Sequence, residues 1–218
     1  MSDNGKSPAD LLDRHLFVLG RWQEYAGEAR ANVLRIIGIG AFYIVELVNY
    51  YGLRLGFIEM PQVVDARFHQ VVTALAVAWT MVSLGILVCL RQQFFPPSLK
   101  FLSTACDLGL LTAILAVADG PRSPLVIGYF LIIVLATLRL SLPLVRCAAG
   151  GAMAGYVFLL GLAWQFPDRG LRVPRYHQLI FLLGLALAGV VLGQVIRSLQ
   201  GLVRDFADRI GPEREDAP

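Results

Sequence analysis

The sequence predicts an all-α, polytopic integral membrane bundle of six transmembrane helices with both termini in the cytoplasm. Three observations predict it. Hydrophobic residues fill 56% of the 218 positions and charged residues only 16%, with a mean hydropathy of +0.63, more apolar than one soluble core requires. Six apolar runs alternate with short polar connections, most of them near the roughly 20 residues a helix needs to span hydrocarbon. Basic residues also collect in alternate connections, the pattern left by insertion. Uniformly apolar runs exclude the alternating strands of an outer-membrane barrel.

The runs cover residues 33–51, 71–90, 101–117, 124–138, 142–164 and 178–196. The fourth is short before Arg139 intervenes, so either Arg139 snorkels to the surface or this segment stops short of crossing. Pro96-Pro97, Asp119-Gly120-Pro121, Pro124, Pro143 and the stretch 167–170 punctuate the segment ends. The loops leave no room for a globular domain between helices. The domain organisation is therefore a cytoplasmic amphipathic segment (1–32), the six-helix transmembrane domain (33–196), a cytoplasmic helical extension (197–210) and a disordered tail (211–218). No signal peptide is expected, because the first thirty residues hold five acidic groups and Trp22 in place of a short apolar stretch.

With the amino terminus inside, thirteen of the 19 basic residues fall on the cytoplasmic side, among them Arg35, Arg91, Lys100, Arg139 and Arg197, so both termini are expected inside, with the chain in the cytoplasmic membrane. Tyr50, Tyr51, Trp164 and Tyr176 then mark the outer interface. Low charge and high apolar content exclude a disordered or collagen-like chain, and Cys89, Cys106 and Cys147 show neither a disulfide framework nor ligand spacing. The net charge of +3 is explained by loop charges and gives no nucleic-acid reading.

The two extensions carry helical patterning. Leu11, Leu12, Leu16, Leu19, Trp22 and Tyr25 form an amphipathic face suited to the inner leaflet or to the end of the bundle. After the last span, Ile196, Leu199, Val203, Phe206 and Ile210 follow coiled-coil spacing, and Gly189 and Gly193 form a G-x-x-x-G pair. Together they suggest a homodimer through the last helix, although glycine pairs also serve contacts within a bundle. Gly151 and Gly155 in the fifth segment give a smooth face for close helix packing.

Ionisable groups at membrane depth are costly and are normally paired or functional. Asp107 lies about 10 Å beyond Lys100 at the helical rise, with Arg139 and Arg146 as available cations. A structural ion pair of Asp107 with these arginines would lock segments three, four and five; the functional alternative is a proton or ion relay. Towards the outer side, Glu46, Asn49, His69, Tyr129 and His177 are candidate ligand-binding residues, able to line a cavity for a small polar or amphipathic molecule. The competing reading is that they mark the headgroup boundary. No metal and no cofactor is expected: H-x-x-x-H spacing is absent and the third histidine, His15, falls on the opposite side.

The 119–124 stretch Asp-Gly-Pro-Arg-Ser-Pro, the 139–144 turn Arg-Leu-Ser-Leu-Pro-Leu, and a last segment running from Tyr176-His177-Gln178 to Gln194-Val195-Ile196-Arg197 resemble the six-helix membrane input regions of some bacterial adenylate cyclases and sensor histidine kinases. The resemblance covers roughly residues 33–210. It implies a last helix that continues into a signalling helix, but the residues of a catalytic output domain are lacking, so no enzymatic activity is expected. The function expected is a stand-alone membrane sensor or anchoring module, relaying a signal through its last helix to a cytoplasmic signalling protein. A small transporter or channel, and a structural subunit of a larger membrane complex, are the alternatives.

Overall fold

A computed structural model describes the backbone of residues 8–55, 58–60, 65–92, 96, 98–166 and 170–210, and side chains within 25–52, 65–92, 96, 98–166, 170–203 and at 205. Six helices follow in order: α1 (Pro8–Tyr51), α2 (Ala66–Arg91), α3 (Leu99–Val117), α4 (Gly128–Thr137), α5 (Leu142–Gln165) and α6 (Arg175–Ile210). Between α1 and α2, strands β1 (Leu53–Leu55) and β2 (Ile58–Met60) pair antiparallel, with Arg54 opposite Glu59. Two 3₁₀ turns, Gly120–Arg122 and Pro124–Ile127, lead into α4.

Five of these helices are long and apolar enough to cross a membrane: Tyr25–Tyr51, Ala66–Arg91, Leu99–Val117, Leu142–Gln165 and Arg175–Val203. Their outward faces carry exposed Ile37, Ile44, Met81, Leu179 and Val190, apolar surface that water would penalise and lipid accepts. The chain is thus a multi-pass helical membrane protein. The fourth predicted segment is shorter, an apolar stretch over Pro124–Thr137. Its register nevertheless carries it along α3: Gly128 meets Leu111, Tyr129 meets Thr112, and Arg139 reaches the Lys100 carbonyl at the start of α3. The opening 3₁₀ turn rises about 2.0 Å per residue and extends the reach of so few residues.

Helices consecutive in the chain run antiparallel. Tyr43 and Glu46 of α1 meet Thr73 and His69 of α2, Trp79 of α2 meets Asp107 of α3, and Gly189 and Gly193 of α6 face Ala149 and Leu142 of α5. Both outer members return to the same end: Gly27 of α1 lies against the Leu138 carbonyl, and Gln200 of α6 donates to the Leu140 carbonyl at 3.2 Å. Leu140 makes that turn in a left-handed conformation with φ 49°, unusual for a branched residue.

The apolar core belongs to α3–α6. Leu115, Ile133, Ala136, Leu144, Ala148, Ala152, Leu159 and Leu185 are buried in one cluster, and small residues bring the helices close. A Cβ at Gly151 would stand 2.5 Å from Leu108, one at Gly155 would stand 2.8 Å from Thr112 and Tyr129, and one at Gly189 would stand 2.6 Å from Ala149. The α1–α2 hairpin has a smaller buried apolar cluster, Ile86 and Leu90 with Ala29, Val82 and Leu99, and Trp79 packs against the main core; buried polar groups join it to the rest as well.

Two expectations on packing change here. Gly189 and Gly193 are occupied by α5 of the same chain, so this glycine pair is not available to a second copy. The amphipathic segment and the first span are one unbroken helix from Pro8; the side chains of its first turns, up to Glu24, lie outside the described residues, as do the tail 211–218 and the side chains of Phe206 and Ile210.

Candidate functional site

At the end of the bundle where α4 turns into α5, two buried ion pairs fasten α1 to α3 and α4. Glu28, Asn32 and Arg35 share one face of α1 by their i, i+4, i+7 spacing, and all three are buried. Arg35 Nε stands 2.7 Å from Asp107 Oδ1 and its Nη2 donates to Oδ2 at 2.8 Å, the planar fork that suits a carboxylate. Its Nη1 donates to Asn32 Oδ1 at 2.7 Å. Asn32 Nδ2 donates in turn to the Ser83 carbonyl of α2 at 3.1 Å. Trp79 Nε1 adds a donor to Asp107 Oδ1 at 2.7 Å.

One turn nearer the end, Arg139 Nε lies 2.7 Å from Glu28 Oε2 and Nη2 donates to Glu28 Oε1 at 2.8 Å. The rest of the guanidinium donates to Ser103 Oγ at 2.9 Å, to the Thr104 hydroxyl and to the Lys100 carbonyl at 3.1 Å. Two carboxylates and two guanidinium groups thus neutralise one another, with most of their remaining polar atoms hydrogen-bonded, the condition under which buried charge is tolerated. The expected partners of Asp107 were Arg139 and Arg146. Arg35 takes that place instead, Arg139 goes to Glu28, and Arg146 is exposed. Arg35 lies inside the first apolar run, on the buried face of α1 that it shares with Glu28 and Asn32, and from there it reaches Asp107 of α3.

The opposite end holds the other candidates, in three separate places. His69 Nδ1 lies 2.8 Å from Glu46 Oε1, with the Tyr50 ring stacked on the imidazole at 4.0 Å and 9°; Asn49 is half-buried on the same helix. Tyr129 is fully buried in the core, its hydroxyl 2.8 Å from Thr112 Oγ1. His177 is exposed and helps line a cavity of about 580 Å³ at the start of α6, together with Arg122, Tyr156, Arg172 and Phe181. One cavity lined by all five residues is therefore not what forms: Glu46 pairs with His69 through Oε1, Tyr129 serves packing, and His177 alone of the five faces the cavity.

Glu28 and Arg35 were missed as site residues because loop-charge counting assigned Arg35 to the interface. The readable signal was their shared helical face with Asn32, a polar stripe leading into an apolar span. No group of three or more His, Cys, Asp or Glu able to hold a metal occurs among the described residues. No protein-family model, curated protein or solved structure matches the chain.

Proposed function

We propose that this protein is a sensor or anchoring module of the bacterial cytoplasmic membrane, crossing it six times with both termini inside, and that it relays events at its outer end through α6 to a cytoplasmic signalling partner. The observation that carries this reading is the continuity of α6. It begins beside the cavity at His177, packs along α5 through Gly189 and Gly193, buries Ile196 completely, and continues as helix to Ile210. Beyond Ile196 it presents exposed Leu199, Leu202 and Val203. A single helix is a stiff lever, so a change of packing at one end is felt at the other. The exposed apolar turns give a partner helix a surface to grip.

The transporter reading draws less support, because Asp107, its best intramembrane carboxylate, is engaged by Arg35 and Trp79. The test is a photo-crosslinking amino acid at Val203 in native membranes. One dominant protein adduct is expected, absent from a control at lipid-facing Val190 and abolished by Leu199→Glu with insertion unchanged. Lipid adducts alone at both positions would overturn the relay.

A further inference from the structure

We propose that the cavity at the head of α6 is a binding site for an anionic amphiphile, a molecule with a phosphate or carboxylate head on an apolar chain. The wall chemistry is divided. Its depth is apolar: Tyr156, 2% exposed, meets Phe181 with ring centroids 4.4 Å apart and Val126 beside them, while the exposed Ile180 lines the mouth. Its rim carries two guanidinium groups: Arg122 and Arg172 line it beside His177, and no Asp or Glu is among its described lining residues.

Both arginines are held in place by groups that leave donors over. Arg122 Nη1 donates to the Gly170 carbonyl at 2.8 Å, one of five N–H donors on a guanidinium. Arg172 lies over the Trp164 ring, 5.7 Å from its centroid, a face contact that keeps the N–H edge open for an oxyanion. Trp164 and Tyr176 are both largely exposed next to this rim, the amphipathic aromatics that settle at headgroup level. The mouth therefore opens where the head of an amphiphile resides, with an apolar floor for its chain. A volume near 580 Å³ falls within the usual range for small-molecule pockets.

The site sharpens the outer-end reading of the sensor and rests on it only for its purpose; binding is read without any partner, so failure of the site and failure of the relay are separate results. The full chain in phosphatidylcholine nanodiscs is titrated with radiolabelled dodecyl phosphate. Saturable one-to-one binding is expected, weakened about tenfold or more by combined Arg122→Gln and Arg172→Gln, since each lost charge-assisted contact is worth a sizeable part of the affinity. Ile180→Glu, which leaves the Gly170 and Trp164 contacts alone, is expected to weaken binding comparably by placing a carboxylate at the mouth. Inorganic phosphate alone is expected to compete poorly. Repeating the titration with phosphatidylglycerol in the disc separates the sources: competition assigns the natural head to a bilayer lipid, undiminished binding to a soluble amphiphile. Non-saturable uptake, or equal affinity in the wild type and both variants, overturns the proposal.

Discussion

The two polar ends of the bundle are built on opposite plans. Glu28 and Glu46 lie on the same helix, 18 residues and so roughly 27 Å apart at the helical rise, close to the thickness of a bilayer's hydrocarbon. Around Glu28 every carboxylate meets a guanidinium, and α1, α2, α3 and the end of α4 are tied into one network. Around Glu46, among the described residues, there is a single polar contact to His69, on which Tyr50 stacks, while the separate cavity at the head of α6 has two arginines at its rim and no described carboxylate. The first end is over-determined and has little freedom to rearrange. The second is sparsely tied, as an end that adapts to a ligand must be. The difference also suggests why charges stay in the membrane here: the α1–α2 hairpin meets α3–α6 through Trp79 and through Leu99 against Ile86 and Leu90, and the ion pairs add to that attachment.

Single substitutions at the two ends should therefore differ in size. The largest effect is expected for Arg35→Leu, which strands the Asp107 carboxylate in the interior; breaking a buried pair costs about 3–5 kcal/mol. Thermal unfolding in mild detergent should fall sharply, and Arg35→Leu combined with Asp107→Leu should recover most of the loss, because two apolar side chains leave no orphaned charge. If the double variant is as unstable as the single one, the pair is not an isolated attachment and the contrast with the other end weakens. Glu46→Gln is the smaller counterpart. A partly buried pair with one hydrogen bond predicts a loss of about 1 kcal/mol, read in the same assay. A loss as large as that of Arg35→Leu would place a second anchor at the Glu46 end.

Much of the helical layout was legible because hydrocarbon burial demands long apolar runs, and α2, α3 and α5 begin and end within a few residues of those runs. Arg139 at the end of the fourth segment announced a short helix; that it would reach Glu28, 111 residues away in sequence, was not encoded in any local period. The same holds for Arg35 and Asp107, 72 residues apart. Periodicity reports which face a residue occupies and not which helix it meets. Gly189 and Gly193 show the same limit: spacing marks a close approach, and only the fold assigns it to α5 of the same chain. Conversely, Glu46 and His69 were correctly brought to one end, yet their pairing with each other removed them from the cavity that His177 lines.

The account depends most on the ion-pair end facing the cytoplasm and the cavity end facing outward, with α4 completing the even number of passes. In a background with Cys89, Cys106 and Cys147 replaced by serine, single changes Asp119→Cys, beside the cavity end, and Leu202→Cys, on the α6 extension, are labelled with a membrane-impermeant maleimide in sealed cells. The account predicts labelling at position 119 from outside and at position 202 only after permeabilisation. Labelling of both from the same side, or in the reverse order, would contradict it.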